Sequence, residues 1–303
     1  MKNLLSICDM PSDQLQSFFK LVDNFNNYLN ILKNPNFKHG SFNPLKKIIG
    51  TLFLEPSTRT RISFEVAVKR MKGDVVTISD AKESSCSKGE SISDTIRTMS
   101  QYVDLLIIRA SEHCIHWGNN FDCPIINAGD GDNEHPTQSL IDTYTIQKNF
   151  GSLCGLKIAI IGDVAHGRTI HSLLKLLLRE NQFAYDSNSL YICAPPFSAI
   201  EYEKTSGISL ITTEQLLDIL PQIDVLYMTR MQEERGTIQK PPFCLTNDII
   251  NRMHSNSIIM HPMPRKEELP ANLDDNKRSV YFEQSKNGIP VRMALIKWIF
   301  ENQ

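Results

Sequence analysis

The stretch IIGTLFLEPSTRTRISFE, Ile48–Glu65, decides how the rest of the chain is read. Its first half is an apolar run of strand length with β-branched residues. Its second half opens a segment, Arg59 to Met71, that reads as a helix. At the junction lie Ser57, Thr58, Arg59, Thr60 and Arg61, a dense set of hydroxyl and guanidinium donors. A cluster at the carboxyl end of a strand sits where open α/β sheets bind ligands. The helix that follows offers unpaired backbone N–H groups at its start. Ser57, Thr58 and Thr60 add hydroxyls, and Arg59 adds a planar fork suited to two anionic oxygens. A phosphate-like anion fits this arrangement. A helix cap with solvent-facing arginines fits the same residues, whereas the Gly-x-x-x-x-Gly-Lys nucleotide loop does not.

Working outward, apolar spacing predicts a helix over about Ser12 to Leu32, with Ser12 as its N-cap. A loop runs from Asn34 to Pro44. Beyond the opening stretch come the strand DVVTIS, a polar, serine-rich Asp80 to Gly89 expected to be exposed or mobile, a helix over Ser91 to Tyr102, and the strands DLLIIRA and PIINAG. The pattern restarts after Pro136 with a helix over Gln138 to Phe150. The strand candidates LKIAIIGD, SLYICAP, ISLIT, DVLYMTR, SIIMHP and SVYFEQ follow, with GRTIHSLLKLLLREN and TEQLLDIL as helices among them. A last helix covers Val291 to Phe300. Alternating strands and helices predict parallel sheets covered on both faces. The expectation is an α/β chain of two open parallel-sheet domains of similar size, with the active site in the cleft between them. The expected boundaries are 1–135 and 136–286, with the segment about 287–303 packing back on the first.

The length of 303 residues agrees with two domains. With 32 basic and 34 acidic residues, the net charge of -2 makes no general case for nucleic acid. The N-terminus does not read as a secretory signal, and no apolar stretch has membrane-helix length, so no membrane is expected. Seven scattered cysteines without a Cys-x-x-Cys pair point to free thiols in a reducing, cytoplasmic setting.

Further polar groups follow predicted strands. Arg109 ends LLIIR. Asp163 to Arg168, DVAHGR, follows IAIIG. Arg230, with Gln232 nearby, follows LYMT, and His261 to Arg265, HPMPR, follows IIM. A lone arginine after a strand is commonly a surface salt bridge. Four such ends predict a cleft for strongly anionic substrates. His135 precedes Pro136 at a helix start, with Gln138 one turn along. It suits a polarised carbonyl, although a lone histidine is more often a structural hydrogen bond. His113-x-x-His116 lacks a carboxylate to complete a metal set and reads as a loop pair. GDVAHGR carries only half of a dinucleotide fingerprint. Neither metal nor cofactor is expected.

Taken in order, FLEPSTRTR, HPTQ, GDVAHGR, MTRMQEER and HPMPR resemble the aspartate/ornithine carbamoyltransferase family, from about Gly50 to the C-terminus. HPMPR favours the aspartate branch, since the ornithine branch has a His-Cys-Leu-Pro element there. The resemblance implies transfer of a carbamoyl group from carbamoyl phosphate to the amine of L-aspartate, in pyrimidine synthesis. It implies that Ser57, Thr58, Arg59, Thr60, Ser84, Lys88, Arg109, His135, Gln138 and Met263 bind carbamoyl phosphate. Of these, Arg59, Thr60, Lys88, Arg109 and His135 are the implied catalytic set. Lys88, Arg168, Arg230, Gln232 and Met263 are the implied aspartate contacts. Ser84 and Lys88 match residues donated by a neighbouring subunit, which implies a homotrimer with shared sites. Met263 stands where leucine is usual, His166 where an aromatic is common, and Ser85-Cys86-Ser87 departs from the usual loop. Separate regulatory chains are left open. A carbamoyltransferase with another acceptor, and a non-catalytic anion-binding subunit of a larger assembly, are the competing readings.

Overall fold

The computed structural model describes residues 3–33, 43–80, 85–117, 121–183, 189–195, 205–232 and 244–302. It divides into two units. One holds Met1–Leu140 and Asn287–Gln303, the other Ile141–Lys286.

In the first unit, β1 (Ile48–Phe53), β2 (Asp74–Ile78), β3 (Leu105–Ala110) and β4 (Ile125–Asp130) form a sheet in the order β2-β1-β3-β4. Every pair is parallel. β1 and β3 are central and almost wholly buried, as expected for strands with both faces covered. The helices are α1 (Ser12–Ile31), α2 (Thr58–Arg70), α3 (Ile92–Ser100) and the start of α4 (Pro136–Phe150). One face of α1 buries Leu15, Phe18, Phe19, Val22 and Phe25. Its N-cap is Pro11, without a side-chain cap bond, so Ser12 is the first helical residue and not the expected cap. The polar segment before α3 contains a 3-10 turn, Ser85–Lys88. The outer strand β4 is paired by the chain start: Leu4 donates to the Ile125 carbonyl at 2.9 Å and accepts from the Asn127 N–H at 2.8 Å.

In the second unit, β5 (Lys157–Ile161), β6 (Ser189–Cys193), β7 (Ile208–Leu210), β8 (Val225–Met228) and β9 (Ile258–Met260) form a sheet in the order β7-β6-β5-β8-β9, again all parallel. Its helices include α5 (Arg168–Phe183), α6 (Thr213–Ile219) and α7 (Asn247–Arg252). The core joins Ile161, Leu226 and Met228 of the strands to Leu216, Ile250 and Tyr281.

The segment SVYFEQ corrects the expected strand. Ser279 forms a single bridge with Ile259, and the Val280 N–H donates to the Ile259 carbonyl at 3.0 Å. The chain then turns into α8 (Tyr281–Glu301), a 21-residue helix that also includes Pro290. The end of α8 is tied within the first unit. Trp298 donates to Gln14 at 3.1 Å, Lys47 lies over the Phe300 ring, and Arg292 lies 4.9 Å from the centre of the Phe64 ring.

All seven cysteines are free. Cys114 and Cys123 are both pushed up to about 12, by burial first and by nearby carboxylates second, so neither is a ready thiolate. Among the described residues, no helix is long and apolar enough to cross a membrane.

A buried polar link joins three elements of the second unit. Tyr227 on β8 donates its hydroxyl to Asp142 on α4 at 2.7 Å, and Gln284 on α8 donates to the other Asp142 oxygen at 2.7 Å. Burial and the adjacent Asp142 hold the Tyr227 phenol well above its usual range, keeping it a donor. Tyr227→Phe removes one donor from a buried carboxyl group and is expected to cost about 1–3 kcal/mol in urea unfolding, with the fold retained.

Candidate active site

In the first unit, three adjacent strands deliver polar groups from one edge of the sheet. After β1 the chain passes Glu55 and Ser57 and enters α2, whose first residues are Thr58, Arg59 and Thr60. Ser57 is the N-cap in extended conformation, but its side chain makes no cap bond. The simple capping reading of the opening stretch therefore fails for this hydroxyl. Thr58 and Arg59 are exposed, and Thr60 is buried. A helix start of this kind presents donors to an anion.

Arg109 sits on β3 opposite Phe53 of β1, and its carbonyl accepts from the Leu54 N–H at 2.8 Å. Its Nε donates to Glu55 at 3.2 Å, so a carboxylate on the adjacent strand end aims the guanidinium. His135 lies just before α4 and is 3% exposed. Its Nε2 is 3.4 Å from the Thr60 hydroxyl and its Nδ1 is 3.3 Å from that of Thr137. Thr60 and His135, 75 residues apart in sequence, are thus brought together. Gln138 is half-buried in the first turn of α4, and its N–H donates to the His135 carbonyl at 2.9 Å. Lys88 is exposed at the end of its 3-10 turn, and Ser84 lies outside the described residues.

The frame under His135 was not foreseen. Asp130 accepts from the N–H groups of Glu134 and Cys114, both at 2.9 Å. Glu134 accepts from the Ser6 hydroxyl at 2.7 Å and from the Ile7 N–H at 3.0 Å. A carboxylate beside His135 in the sequence was the only local hint. His113 faces Asp132 at 2.8 Å, and no group of metal-ligating side chains occurs among the described residues.

In the second unit, β5, β8 and β9 are neighbours and end in the other polar segments. Gly162 lets the first two approach. At φ 121°, a Cβ on this residue would lie 2.1 Å from the Thr229 carbonyl oxygen. Asp163, fully buried, then accepts from the His166 N–H at 3.2 Å and the Gln232 N–H at 3.3 Å. The His166 ring also faces this carboxyl group, with Nδ1 at 3.2 Å from both oxygens. The Gln232 side chain donates to the His166 carbonyl at 2.7 Å. Arg168 is buried as the first residue of α5, and Arg230 is half-buried beyond β8. After β9, Met263 adopts φ 58°, left-handed for a non-glycine residue, and a cis bond joins it to Pro264. Arg265 pairs with Asp274 and lies over the rings of Tyr281 and Phe282.

Residues 2–148 match the family model for the "Aspartate/ornithine carbamoyltransferase, carbamoyl-P binding domain", and residues 154–299 match that for the "Asp/Orn binding domain". The chain belongs to the aspartate/ornithine carbamoyltransferase family. It is 39% identical to the aspartate carbamoyltransferase catalytic subunit of Methanocaldococcus jannaschii over 315 aligned residues, covering 100% of this chain and 99% of that one. The Arabidopsis thaliana chloroplastic enzyme is 40% identical, over 82% of this chain and 67% of its own. Among solved structures, the M. jannaschii catalytic subunit superposes with a TM-score of 0.84 at 38% identity, covering 100% and 99% of the two chains. The Trypanosoma cruzi enzyme, solved with carbamoyl aspartate and phosphate, gives 0.83 at 32% identity over 97% and 94%.

The Arg265–Asp274 pair makes a pH-dependent contribution. Hydrogen bonds from Arg265 and then Tyr281 lower the Asp274 carboxyl from 3.8 to about 2. A carboxyl lowered by folding stabilises above its unfolded value, and that contribution is lost as pH falls through the folded value. In Arg265→Met the carboxyl midpoint should rise from about 2 towards 3.8, read by carbon NMR titration of Asp274.

Proposed function

We propose that this chain transfers the carbamoyl group of carbamoyl phosphate to the amine of L-aspartate, giving N-carbamoyl-L-aspartate and phosphate in pyrimidine synthesis. The observation that carries this reading is the full-length identity of 39% to an aspartate carbamoyltransferase catalytic subunit. The first unit takes carbamoyl phosphate and the second takes aspartate. The attacking amine adds to the carbonyl carbon, charge grows on the carbonyl oxygen, and it passes to the departing phosphate. Thr60, Arg109 and His135 donate to that oxygen. A Thr137 hydroxyl donating to His135 Nδ1 would leave Nε2–H as the donor. Ser57, Thr58 and Ser84 bind the phosphate, Gln138 the carbamoyl amide. Arg59 and Lys88 stabilise the leaving group, with Lys88 also reaching aspartate. Arg168, Arg230 and Gln232 hold the aspartate, and Met263 contacts both substrates through its backbone. No side chain is assigned as general base; a phosphate oxygen accepts the amine proton. Catalysis comes largely from holding two anions together.

Arg230 tests both activity and acceptor. The wild-type chain should form N-carbamoyl-L-aspartate from aspartate and no citrulline from ornithine. Arg230→Ala should weaken aspartate use by about 2–5 kcal/mol, with carbamoyl phosphate affinity kept, because a charged partner loses its guanidinium. It should not gain ornithine activity, since deleting an attraction builds no site for an ammonium. Unchanged aspartate saturation with collapsed carbamoyl phosphate affinity would move Arg230 to the other substrate.

The working assembly is a cytoplasmic homotrimer, with Ser84 and Lys88 entering a neighbour's site. Separate regulatory chains are compatible with it. Mixing inactive Arg59→Ala and Lys88→Ala chains should restore part of the activity, since some mixed sites receive both intact groups. Continued inactivity after verified subunit exchange would refute the shared site.

A further inference from the structure

We propose that His261 is a positioning residue for carbamoyl transfer: its neutral ring, protonated on Nε2 and anchored by Glu268, holds the Met263 backbone in its left-handed turn. The substrate side of this inference rests on the function proposed above; the proton placement does not.

The hydrogen-bond geometry fixes the proton. The Met263 N–H donates to His261 Nδ1 at 2.8 Å, so Nδ1 must keep its lone pair. The remaining ring proton is on Nε2, 3.0 Å from Glu268 Oε1. The same Glu268 oxygen accepts from the Lys266 N–H at 2.8 Å. Both side chains are buried, at 1% and 3% exposure, so water does not substitute for either contact. The His261 N–H is fixed separately, donating to Gln284 Oε1 at 2.9 Å, and Gln284 is held by Asp142.

The charges agree with this arrangement. Burial lowers the His261 pKa; Glu268 pulls it upward, while Arg265 and Arg230 press it further down. Burial raises the Glu268 carboxyl, but the His261 hydrogen bond and backbone N–H groups bring it below its usual value. A neutral imidazole beside a carboxylate is the favoured state. Met263 needs such support, because φ 58° on a non-glycine residue persists only where the surroundings fix it. An imidazolium, or the opposite tautomer, would turn a proton toward the Met263 N–H and break the contact.

Nitrogen NMR of the full chain labelled at histidine, assigned by loss of one ring in His261→Asn, reads the tautomer directly. An unprotonated Nδ1 and protonated Nε2 at neutral pH are expected. An imidazolium or an Nδ1–H ring overturns the proposal. Kinetics give the second arm. In His261→Asn the amide oxygen replaces Nδ1 but nothing reaches Glu268, so kcat/KM should fall clearly less than in His261→Leu. His261→Leu should lose at least about tenfold in kcat/KM, since misplacing a reacting group by about 1 Å can cost about 100-fold. Equal losses in the two folded variants, or none in either, overturn it. Should His261→Leu fail to fold, Glu268→Gln against Glu268→Leu makes the same comparison, because the glutamine oxygen still accepts from Nε2–H. A wild-type chain inactive with both substrates would defeat the functional reading alone, leaving the tautomer to decide this one.

Discussion

Parallel pairing forces all strands of a sheet to end at the same edge. In the first unit that edge receives the turn into α2, Arg109 and the His135 loop; in the second it receives the Asp163, Arg230 and His261 segments. Each unit therefore gathers polar groups from distant parts of the chain without a long excursion of the backbone. The close approach at Gly162 has the same origin, since β5 and β8 are neighbours and their exits must pass each other.

Buried or half-buried carboxyl groups then set the direction of what the edges collect. Glu55 aims Arg109, Asp163 ties the His166 turn to Gln232, and Glu268 orients His261. A fixed partner narrows the rotamers of a long cation or a ring, so less ordering is left to be done by anything it contacts.

Much of the fold was legible because buried parallel strands are written as short apolar runs and their helices at regular apolar spacing. SVYFEQ misled because its first two residues do pair with β9, while Tyr281 onward is helical. Six residues cannot tell a strand from a strand that ends in a helix. Ser12 misled because a helix can start on the Pro11 carbonyl, which accepts from the Gln14 N–H at 3.1 Å, without a side-chain cap. At the site, strand-end positions flagged the arginines and histidines, and family resemblance supplied their roles. Two of the carboxylate contacts behind them were hidden. Glu134 meets Ser6 across 128 residues and Glu55 meets Arg109 across 54, distances that no local periodicity encodes.

The pairing of Leu4 with β4 has a practical side. Leu4 covers the open flank of a sheet, and Ser6 and Ile7 grip Glu134 beside His135. Clipping them by protease would expose unpaired amide and carbonyl groups along β4, a template on which other chains can stack. A chain trimmed in this way would lose the cover of β4 and the hydrogen bonds that hold Glu134 in a single cut, so two separate defects would trace to one lesion.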